Sequence, residues 1–206
     1  MKYLLSFSAV LLLLVTLSSF QKESKKKGWI KLFDGKSMDG WKINENPSSF
    51  KIEDGAIVVN GNRGHLFYVG NVASHNFKNF EYKAKVMTTP GSNSGMYIHT
   101  AYQEEGWPSQ GYEIQVNNSH TDWRRTGSVY GIQDVKEAPA KDNEWFTQHI
   151  IVKGNQITVK VNDKTINEYT VPAEGGKLST GTFALQAHDP KSKVYYKDIM
   201  VKIIAD

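Results

Sequence analysis

Short runs of alternating or β-branched residues recur from Trp29 onward, and turn residues separate them. No stretch of about eleven residues shows the helical period of about 3.6 residues. Three dipeptides between such runs are typical of two-residue hairpin turns. They are Asp54-Gly55, Gly154-Asn155 and Asn162-Asp163. The pattern predicts an all-β protein, because hairpins join neighbouring runs and no segment favours a helix.

The hairpins and the alternation together predict about a dozen strands. Those that flank the hairpin turns are expected over residues 50–53, 56–60, 146–153, 156–161 and 164–169. The others are expected over 30–33, 65–68, 79–86, 94–100, 112–117, 126–132, 182–188 and 194–203. Because one flat sheet does not accommodate so many strands, we predict an all-β, two-sheet antiparallel jelly-roll sandwich.

Residues 1–20 have the pattern of a secretory signal peptide. Lys2 precedes an apolar run over 4–17, which is shorter than the roughly 20 residues that span a bilayer. A lysine-rich leader over 21–28 follows, and one β-sandwich domain is expected over 29–206. We therefore expect a periplasmic or secreted protein with no stable membrane span after signal removal.

The composition excludes several classes of site and partner. The chain has no cysteine, which excludes disulfides and thiolate metal sites, so the core alone must hold the fold. The formal net charge is +4, and the lysines between 22 and 27 supply much of it. No basic stripe with interleaved aromatic residues follows, so nucleic acid is not an expected partner.

Polar side chains share one face on each of three predicted strands, since alternate residues of a strand point to the same side. These sets are Glu113, Gln115 and Asn117; Gln186 and His188; and Tyr97 and His99. Amides, an acid and imidazoles hydrogen-bond hydroxyl groups, so we interpret the three faces as one concave surface that binds a carbohydrate. An ordinary solvent-exposed sheet face is the alternative that the pattern leaves open.

The two longest connections, 100–111 and 118–126, carry tryptophan, proline or arginine where a plain turn carries glycine and asparagine. Long decorated loops often hold binding residues. Trp107 and Trp123 are therefore candidates for stacking on a pyranose ring, and packing within the loops is the alternative.

Arg124 is a candidate for binding an anionic or hydroxyl-rich ligand through its planar guanidinium group. The alternative for Arg124 is a salt bridge to Asp122 or Asp134. The remaining histidines are interpreted as surface or edge residues, and these are His65, His75, His120 and His149.

Five motifs in order resemble the 3-keto-disaccharide hydrolase domain family over nearly the whole mature chain. They are Leu32-Phe33-Asp34-Gly35-Lys36-Ser37-Met38-Asp39-Gly40-Trp41, Asn93-Ser94-Gly95-Met96-Tyr97, Gly111-Tyr112-Glu113-Ile114-Gln115, Thr126-Gly127-Ser128-Val129-Tyr130-Gly131 and Leu185-Gln186-Ala187-His188. The resemblance implies a sandwich of the concanavalin-like lectin and glucanase type. It also implies an exported enzyme that cleaves glycosides whose sugar carries a ketone at C3.

The site residues that the resemblance implies are Glu113, Gln115, His188 and the turn Asn93-Ser94-Gly95. Two departures from the family pattern stand close to them. Asn117 and Asn118 occupy positions where the family often has an acid, and Asp189-Pro190 follows His188 where the family often has glycine.

A conventional glycosidase needs two carboxylates that flank the scissile bond. The strand that carries Glu113 supplies one, because Gln115 and Asn117 at the alternate positions do not ionise. An ordinary endoglucanase would have to recruit Glu104 or Glu105 from the preceding loop, and this interpretation ranks last.

A ketone at C3 acidifies the hydrogen on C2, so one base and one acid suffice for elimination of the C1 substituent, and water then adds back. The hypothesis is that Glu113 or His188 removes the C2 proton and the other protonates the leaving oxygen. Gln115, Gln186 or Tyr130 would donate hydrogen bonds to the enolate.

No cofactor is required by this scheme, but a divalent metal is an alternative means of polarising the ketone. Its candidate ligands are His99, Glu113 and His188. A non-catalytic carbohydrate-binding module is the main rival function, since the same sandwich serves in lectins and polar amides with tryptophan also suit plain recognition.

Overall fold

The structure is a computed structural model that describes residues 28–174 and 179–205. The predicted signal peptide and nearly all of the predicted leader lie outside these residues. Within them the strands are β1 Ile30–Lys31, β2 Trp41–Ile43, β3 Phe50–Glu53, β4 Ala56–Val59, β5 Gly64–Tyr68, β6 Phe80–Thr88, β7 Ser94–Thr100, β8 Tyr112–Val116, β9 Phe146–Lys153, β10 Gln156–Val161, β11 Lys164–Thr170, β12 Thr182–Ala187 and β13 Val194–Ile203. Two short 3-10 helices cover Pro47–Ser49 and Val72–His75.

The strands form two antiparallel sheets. The larger sheet has eight strands in the order β11-β10-β9-β6-β13-β4-β3, with β1 paired to β13. The smaller sheet has five strands in the order β2-β5-β12-β7-β8. The predicted two-sheet sandwich is therefore confirmed. Among the described residues, no helix has the length and apolar character needed to cross a membrane.

Aromatic side chains from both sheets fill the space between them. Tyr82 of β6 stacks on Phe183 of β12 with ring centroids 4.1 Å apart. Phe77, just before β6, stacks on the other side of Phe183 at 4.3 Å. Burial of such large rings is worth roughly 1.5–3 kcal/mol each, which is how a chain without cysteine holds two layers together.

The three predicted hairpins are confirmed. Asp54 and Gly55 join β3 to β4 with φ of 49° and 75°. Asn162 and Asp163 join β10 to β11 with φ of 48° and 66°. Two successive residues with positive φ make the tight turn whose twist matches that of the flanking strands. Gly154 opens the third turn, between β9 and β10.

The strand predicted over residues 126–132 is wrong. Gly127 and Gly131 adopt positive φ of 91° and 67°, and the chain turns back on itself through a bond from the amide of Ile132 to the carbonyl of Val129. The segment still lies against β8, since the amide of Tyr130 donates to the carbonyl of Glu113. Strand β2, by contrast, was not predicted, because three residues carry no alternation signal.

Candidate active site

A pocket of about 420 Å³ opens on the outer face of the five-stranded sheet. It is lined by Asn93, Tyr97, Trp107, Pro108, Glu113, Tyr130, Gln186 and His188. A second cavity of about 400 Å³ near the start of the domain includes Asp34, whose carboxylate accepts bonds from the amides of its own turn. We therefore place the chemistry in the first pocket.

Strand register explains why distant segments meet in this pocket. Tyr97 of β7 lies opposite Glu113 of β8 on one side and opposite Ala184 of β12 on the other. Gln186 of β12 lies opposite His65 of β5. Side chains of directly paired residues, and of residues two apart in one strand, point to the same face of a sheet. These side chains therefore leave the sheet on the face away from the main core.

The Glu113 carboxylate is surrounded by neutral donors. Its Oε2 accepts from the Tyr97 hydroxyl at 2.8 Å, and its Oε1 accepts from Gln186 Nε2 at 2.9 Å. The Gln115 amide is oriented so that its nitrogen faces acceptors and its oxygen faces donors. In this orientation the nitrogen donates to Glu113 Oε1 at 3.2 Å and to the Ser94 carbonyl at 2.7 Å. Three donors on one half-buried carboxyl group stabilise its ionised form.

Tyr97 completes this arrangement as a neutral hydroxyl. Burial, and then the nearby Glu113 carboxylate, raise the pKa of Tyr97 far above its ordinary value. The Tyr97 oxygen also accepts from Gln186 Nε2 at 3.2 Å. Tyr97 and Gln186 therefore hold the carboxylate in one orientation at the floor of the pocket.

His188 is oriented by its neighbour in sequence. Its Nδ1 lies 2.8 Å from Asp189 Oδ2, which also accepts from the Ser192 hydroxyl at 2.7 Å. Burial opposes ionisation of Asp189, but the bonds from Ser192 and His188 outweigh it and lower its pKa to about 2. An ionised Asp189 fixes the proton of His188 on Nδ1, which leaves Nε2 for a ligand.

His120, His188 and Asp189 form a cluster whose nearest ligand atoms lie within 4.8 Å of one another. His120 Nδ1 accepts from the backbone amide of Asp122 at 3.0 Å, so a neutral His120 carries its proton on Nε2. That Nε2 lies 4.0 Å from Asp189 Oδ2. A protonated Nε2 does not bind a metal ion, and Nδ1 already accepts from the Asp122 amide. In this tautomer His120 therefore has no unoccupied nitrogen for a metal ion.

Aromatic residues stand on two sides of the pocket. Trp107 is 45% exposed and its ring centroid lies 5.5 Å from that of His188. Tyr130 is 38% exposed, and its hydroxyl donates to Asp122 Oδ2 at 3.0 Å. Exposed rings beside carboxylate and amide groups are the usual surroundings of a bound sugar.

A model of the family described as a 3-keto-alpha-glucoside-1,2-lyase-like domain matches residues 28–202 of this chain. The chain belongs to this family. A 3-keto-disaccharide hydrolase from Bacteroides thetaiotaomicron is 28% identical to this chain and covers 74% of it. The chain spans 62% of that relative's length.

Solved structures show the same sandwich. A Parabacteroides distasonis protein provisionally assigned as a glycosyl hydrolase is 24% identical, with a TM-score of 0.75, and the match covers 89% of this chain and 97% of that one. The carbohydrate-binding module CBM66 from Bacillus subtilis is 11% identical with a TM-score of 0.56, covering 79% and 95%. These likenesses concern the fold.

The lyase-like domain brings together most of the residues predicted for the site. Glu113, His188, Gln186, Tyr130, Asn93 and Trp107 all line the pocket. Gln115 is fully buried beneath Glu113 and contacts the carboxylate from below. Asn93 Nδ2 lies 3.5 Å from His120 Nδ1. The second hydrogen of the Asn93 amide group is available to a ligand.

The structure places two predicted residues elsewhere. Ser94 points between the sheets, where its hydroxyl bonds to the Gln186 carbonyl and, at 2.7 Å, to the Tyr196 hydroxyl. His99 has a φ of 51°, which breaks the alternation of β7 and turns the ring toward Phe80 of the other sheet at 5.4 Å. Its Nε2 bonds to the Lys78 carbonyl at 2.9 Å. His99 therefore does not reach the pocket as a metal or substrate ligand.

Arg124 makes the salt bridges that the sequence analysis gave as its alternative role. Its Nε lies 3.2 Å from Asp134 Oδ2, and its Nη1 lies 3.4 Å from Asp122 Oδ1. Its guanidinium carbon stands 4.8 Å from the Tyr130 ring and 5.0 Å from the Trp123 ring. The Arg124 guanidinium thus lies near both rings, and neither Arg124 nor Trp123 is among the residues that line the pocket.

The two asparagines that depart from the family pattern are structural. Asn117 Nδ2 donates to the carbonyls of Asp122 and Arg124 at 2.9 and 2.8 Å. Asn118 bonds to Thr88 and Thr126 at 3.0 and 2.7 Å. Both asparagine side chains hold the loop that follows β8 through these bonds. The polar face predicted for β8 therefore ends at Gln115.

Three site residues were missed from the sequence. Asp189 was noted only as a departure from the family, although a carboxylate directly after a candidate histidine is a signal for an orienting pair. His65 and His120 were interpreted as surface or edge residues, but His65 is fully buried and His120 lies 5.5 Å from His188 by ring centroids. No local pattern signals that loops cover them.

Proposed function

We propose that this lyase-like domain is a glycoside-cleaving enzyme that acts on 3-keto-glycosides, such as 3-keto-disaccharides. The observation that carries the proposal is a pocket in which Glu113 and His188 both line the wall, and Glu113 is the single carboxylic acid among the described lining residues. One acid does not serve the two-carboxylate mechanism of ordinary glycosidases. It does serve proton removal next to a ketone.

The Glu113 carboxylate is the proposed base, because it lines the pocket and three hydrogen-bond donors fix its orientation. It takes the proton from C2, and the electron pair of that bond becomes the enolate of the C3 ketone. The enolate then reforms the ketone and a C1–C2 double bond as the bond from C1 to the leaving oxygen breaks.

His188 in its doubly protonated form is the proposed acid: its Nε2 gives a proton to the leaving oxygen, and Nδ1 keeps the proton that it shares with Asp189. Asp189 stabilises the positive ring through the bond to Nδ1, so it is a positioning residue rather than a catalytic one. The products are an alcohol and an unsaturated keto-sugar. Addition of water across C1 and C2 completes net hydrolysis without any further reactant.

The enolate needs a hydrogen-bond donor, and the residues predicted for this task are already engaged. Gln186 Nε2 is held by Glu113 and Tyr97, and the Tyr130 hydroxyl donates to Asp122. Asn93 Nδ2, which lines the same pocket, is the proposed donor instead.

Support for the substrate class comes from the relatives. The family is described as a 3-keto-alpha-glucoside-1,2-lyase-like domain, a description that fits elimination of the C1 substituent across C1 and C2. The Bacteroides thetaiotaomicron relative is a 3-keto-disaccharide hydrolase. At 28% identity the linkage and the second sugar of this chain's substrate are not transferred. The proposal is therefore limited to the oxidised sugar.

The test compares a 3-keto-glucoside with its unoxidised parent in deuterated water. We expect turnover of the keto compound alone, with deuterium at C2 of the recovered sugar by NMR. Comparable turnover of both compounds, or turnover without deuterium at C2, would contradict the mechanism.

A plain sugar-binding module is the second candidate, because the exposed rings of Trp107 and Tyr130 flank the pocket. Calorimetry with unoxidised glucosides separates the two functions. Micromolar affinity for an unoxidised sugar without turnover of any keto-sugar favours the binding module. Weak binding of the parent sugar with turnover of the keto-sugar favours the enzyme.

We also propose that the protein is exported to the periplasm or secreted. The support is the apolar run over 4–17 that follows Lys2 and precedes the lysines of 22–27. Cell fractionation with N-terminal sequencing of the mature chain tests this, and retention of the intact chain in the cytoplasm contradicts it.

A further inference from the structure

Two buried polar side chains lie next to each other beside the pocket, and each has an unpaired atom. His65 is fully buried, and neither of its ring nitrogens has a hydrogen-bond partner among the described residues. Gln186 is 1% exposed, and within the same described part of the chain its Oε1 has no partner either. Unpaired polar atoms of this kind are rare in folded proteins, because burial removes their bonds to water.

Their position connects them to the site. Gln186 lines the pocket, and His65 faces it from the adjacent strand in direct register. The His65 ring meets the Tyr97 ring edge to face at 5.4 Å and the Trp107 ring at 5.6 Å. His65 therefore lies one strand beyond the catalytic groups, under the indole.

We propose that His65 and Gln186 form a hydroxyl-binding subsite beneath Trp107, which takes one uncharged hydroxyl group of the sugar ring. A hydroxyl group donates one hydrogen bond and accepts others. It therefore matches the Gln186 oxygen as acceptor together with a neutral imidazole as donor. This inference rests on the proposed function, since it names how the same pocket holds its sugar.

The charges around the subsite favour a neutral ligand group. Burial lowers the pKa of His65 to about 4, so the ring is uncharged at neutral pH. The Arg63 guanidinium is paired with the Glu45 carboxylate at 2.9 Å, so its charge is already balanced and does not attract an anionic ligand group. A sugar carboxylate at this position would find the Arg63 guanidinium already paired and would lie near the Glu113 carboxylate, which Gln186 contacts.

Trp107 controls access to the subsite. The backbone of its loop is held by bonds from the Gly106 amide to Glu45 Oε1 at 3.0 Å and from Gln103 Nε2 to the Trp107 carbonyl at 2.9 Å. The indole itself is 45% exposed. Rotation of this side chain, without movement of the loop, uncovers His65 and brings the ring against the sugar.

The experiment measures kcat/KM for a 3-keto-glucoside and for its 4-deoxy, 6-deoxy and C6-carboxylate analogues. We expect the wild type to lose about tenfold to 100-fold on one deoxy analogue and on the carboxylate, because a buried partner is then left unpaired. His65→Phe should lose a similar factor on the parent compound. It should show no further loss on the affected deoxy analogue, because the same bond is already absent.

Folding and function are separated by a second substitution and by direct binding. His65→Leu should behave as His65→Phe does, and both should keep the wild-type melting temperature, since neither ring nitrogen makes a bond to lose. Equal wild-type activity on all three neutral substrates overturns the inference, as does full activity of His65→Phe on the parent.

Failure of the proposed function gives a different result. In that case no keto-sugar is turned over, and calorimetry with methyl glucoside and its 4-deoxy and 6-deoxy analogues tests the subsite alone. Affinity that falls for one deoxy sugar in the wild type but not in His65→Phe supports the subsite. Equal affinities for all three sugars overturn it.

Discussion

The outer faces of the two sheets have the same alternating pattern but treat their polar groups differently. On the larger sheet, Glu81 binds Lys202 at 2.8 Å, and Lys85 stands 3.6 Å from Asp198 with both side chains about half exposed. On the smaller sheet, the Glu113 carboxylate accepts hydrogen bonds from the neutral side chains of Tyr97, Gln186 and Gln115. Ion pairs stabilise a solvated face modestly, whereas neutral donors keep a carboxylate charged and accessible to a ligand.

The two sheets also differ in how deeply the residues of their strands are buried. Strand β6 of the larger sheet alternates buried residues with half-buried or exposed ones, while every residue of β7 in the smaller sheet is buried. From the loop over 100–111, Trp107 and Tyr102 pack against His65 and Phe67 on the outward side of the smaller sheet. A polar face that is covered in this way must satisfy its groups internally or with a ligand.

The largest effect is expected from Glu113→Gln. Removal of the base should lower kcat for a 3-keto-glucoside by about 10³-fold, because a neutral amide does not take the C2 proton. Steady-state kinetics with a circular dichroism check of the fold measures this.

Glu81→Gln is the matched control on the larger sheet. It removes a carboxylate that is bonded to Lys202 and His149, so it should leave kcat unchanged. Equal kcat values for Glu113→Gln and Glu81→Gln would show that the outer face of the smaller sheet is no more important for catalysis than that of the larger sheet.

Gly95→Ala is expected to lower kcat/KM by about 10²-fold, since small displacements of a reacting group are costly. Gly95 lies opposite Gln115 in the β7–β8 ladder. A Cβ there would lie 2.5 Å from Glu113 Oε1 and 2.8 Å from Glu113 Cγ, so the carboxylate must move. A crystal structure with the carboxylate displaced accounts for the loss, and wild-type kinetics with an unmoved Glu113 contradicts the prediction.

Asp189→Asn should lower kcat on the order of tenfold, because the acid loses its charged partner while His188 itself remains. Asp198→Asn on the larger sheet is the control, since Asp198 is an exposed residue of β13 whose ion pair is far from any substrate group. An unchanged kcat in Asp189→Asn removes Asp189 from the mechanism.

The same variant tests the charge of Asp189 through stability. The folded pKa is lowered from 3.8 to about 2, so the ionised group contributes stability above pH 4 that is lost as the pH falls toward 2. The contribution is on the order of 2 kcal/mol at neutral pH. The difference in free energy of unfolding between wild type and Asp189→Asn should therefore shrink between pH 4 and pH 2, as urea titrations measure.

Much of this comparison was predictable from sequence, because parity and turn chemistry are local. Asp54-Gly55 and Asn162-Asp163 specify their hairpins, and the alternation of β8 and β12 places Glu113 and Gln186 on one face. That these faces and the polar face of β7 form one surface was an inference from composition, and the strand order β12-β7-β8 comes from the structure. The motif resemblance supplied the family, which the match over 28–202 confirms.

What failed depended on contacts between distant segments. The positive φ of His99 breaks the alternation of β7, and the ring contacts Lys78 and Phe80, which are distant in sequence. His65 was interpreted as an edge residue because β5 alone does not reveal the Trp107 loop above it. Burial of a polar face is a tertiary property, so the distinction between the two sheets required the structure.

The smallest effect on activity is expected from Ser94→Ala, although the sequence analysis placed Ser94 in the site. Its hydroxyl bonds to the Gln186 carbonyl and the Tyr196 hydroxyl between the sheets, so its loss should cost about 1–2 kcal/mol of stability. The kcat/KM should stay near the wild-type value. Tyr196→Phe removes the partner of the same bond, so the two substitutions should be less than additive in urea unfolding. A loss of activity without a loss of stability would instead indicate that Ser94 contacts the substrate, which contradicts its placement between the sheets.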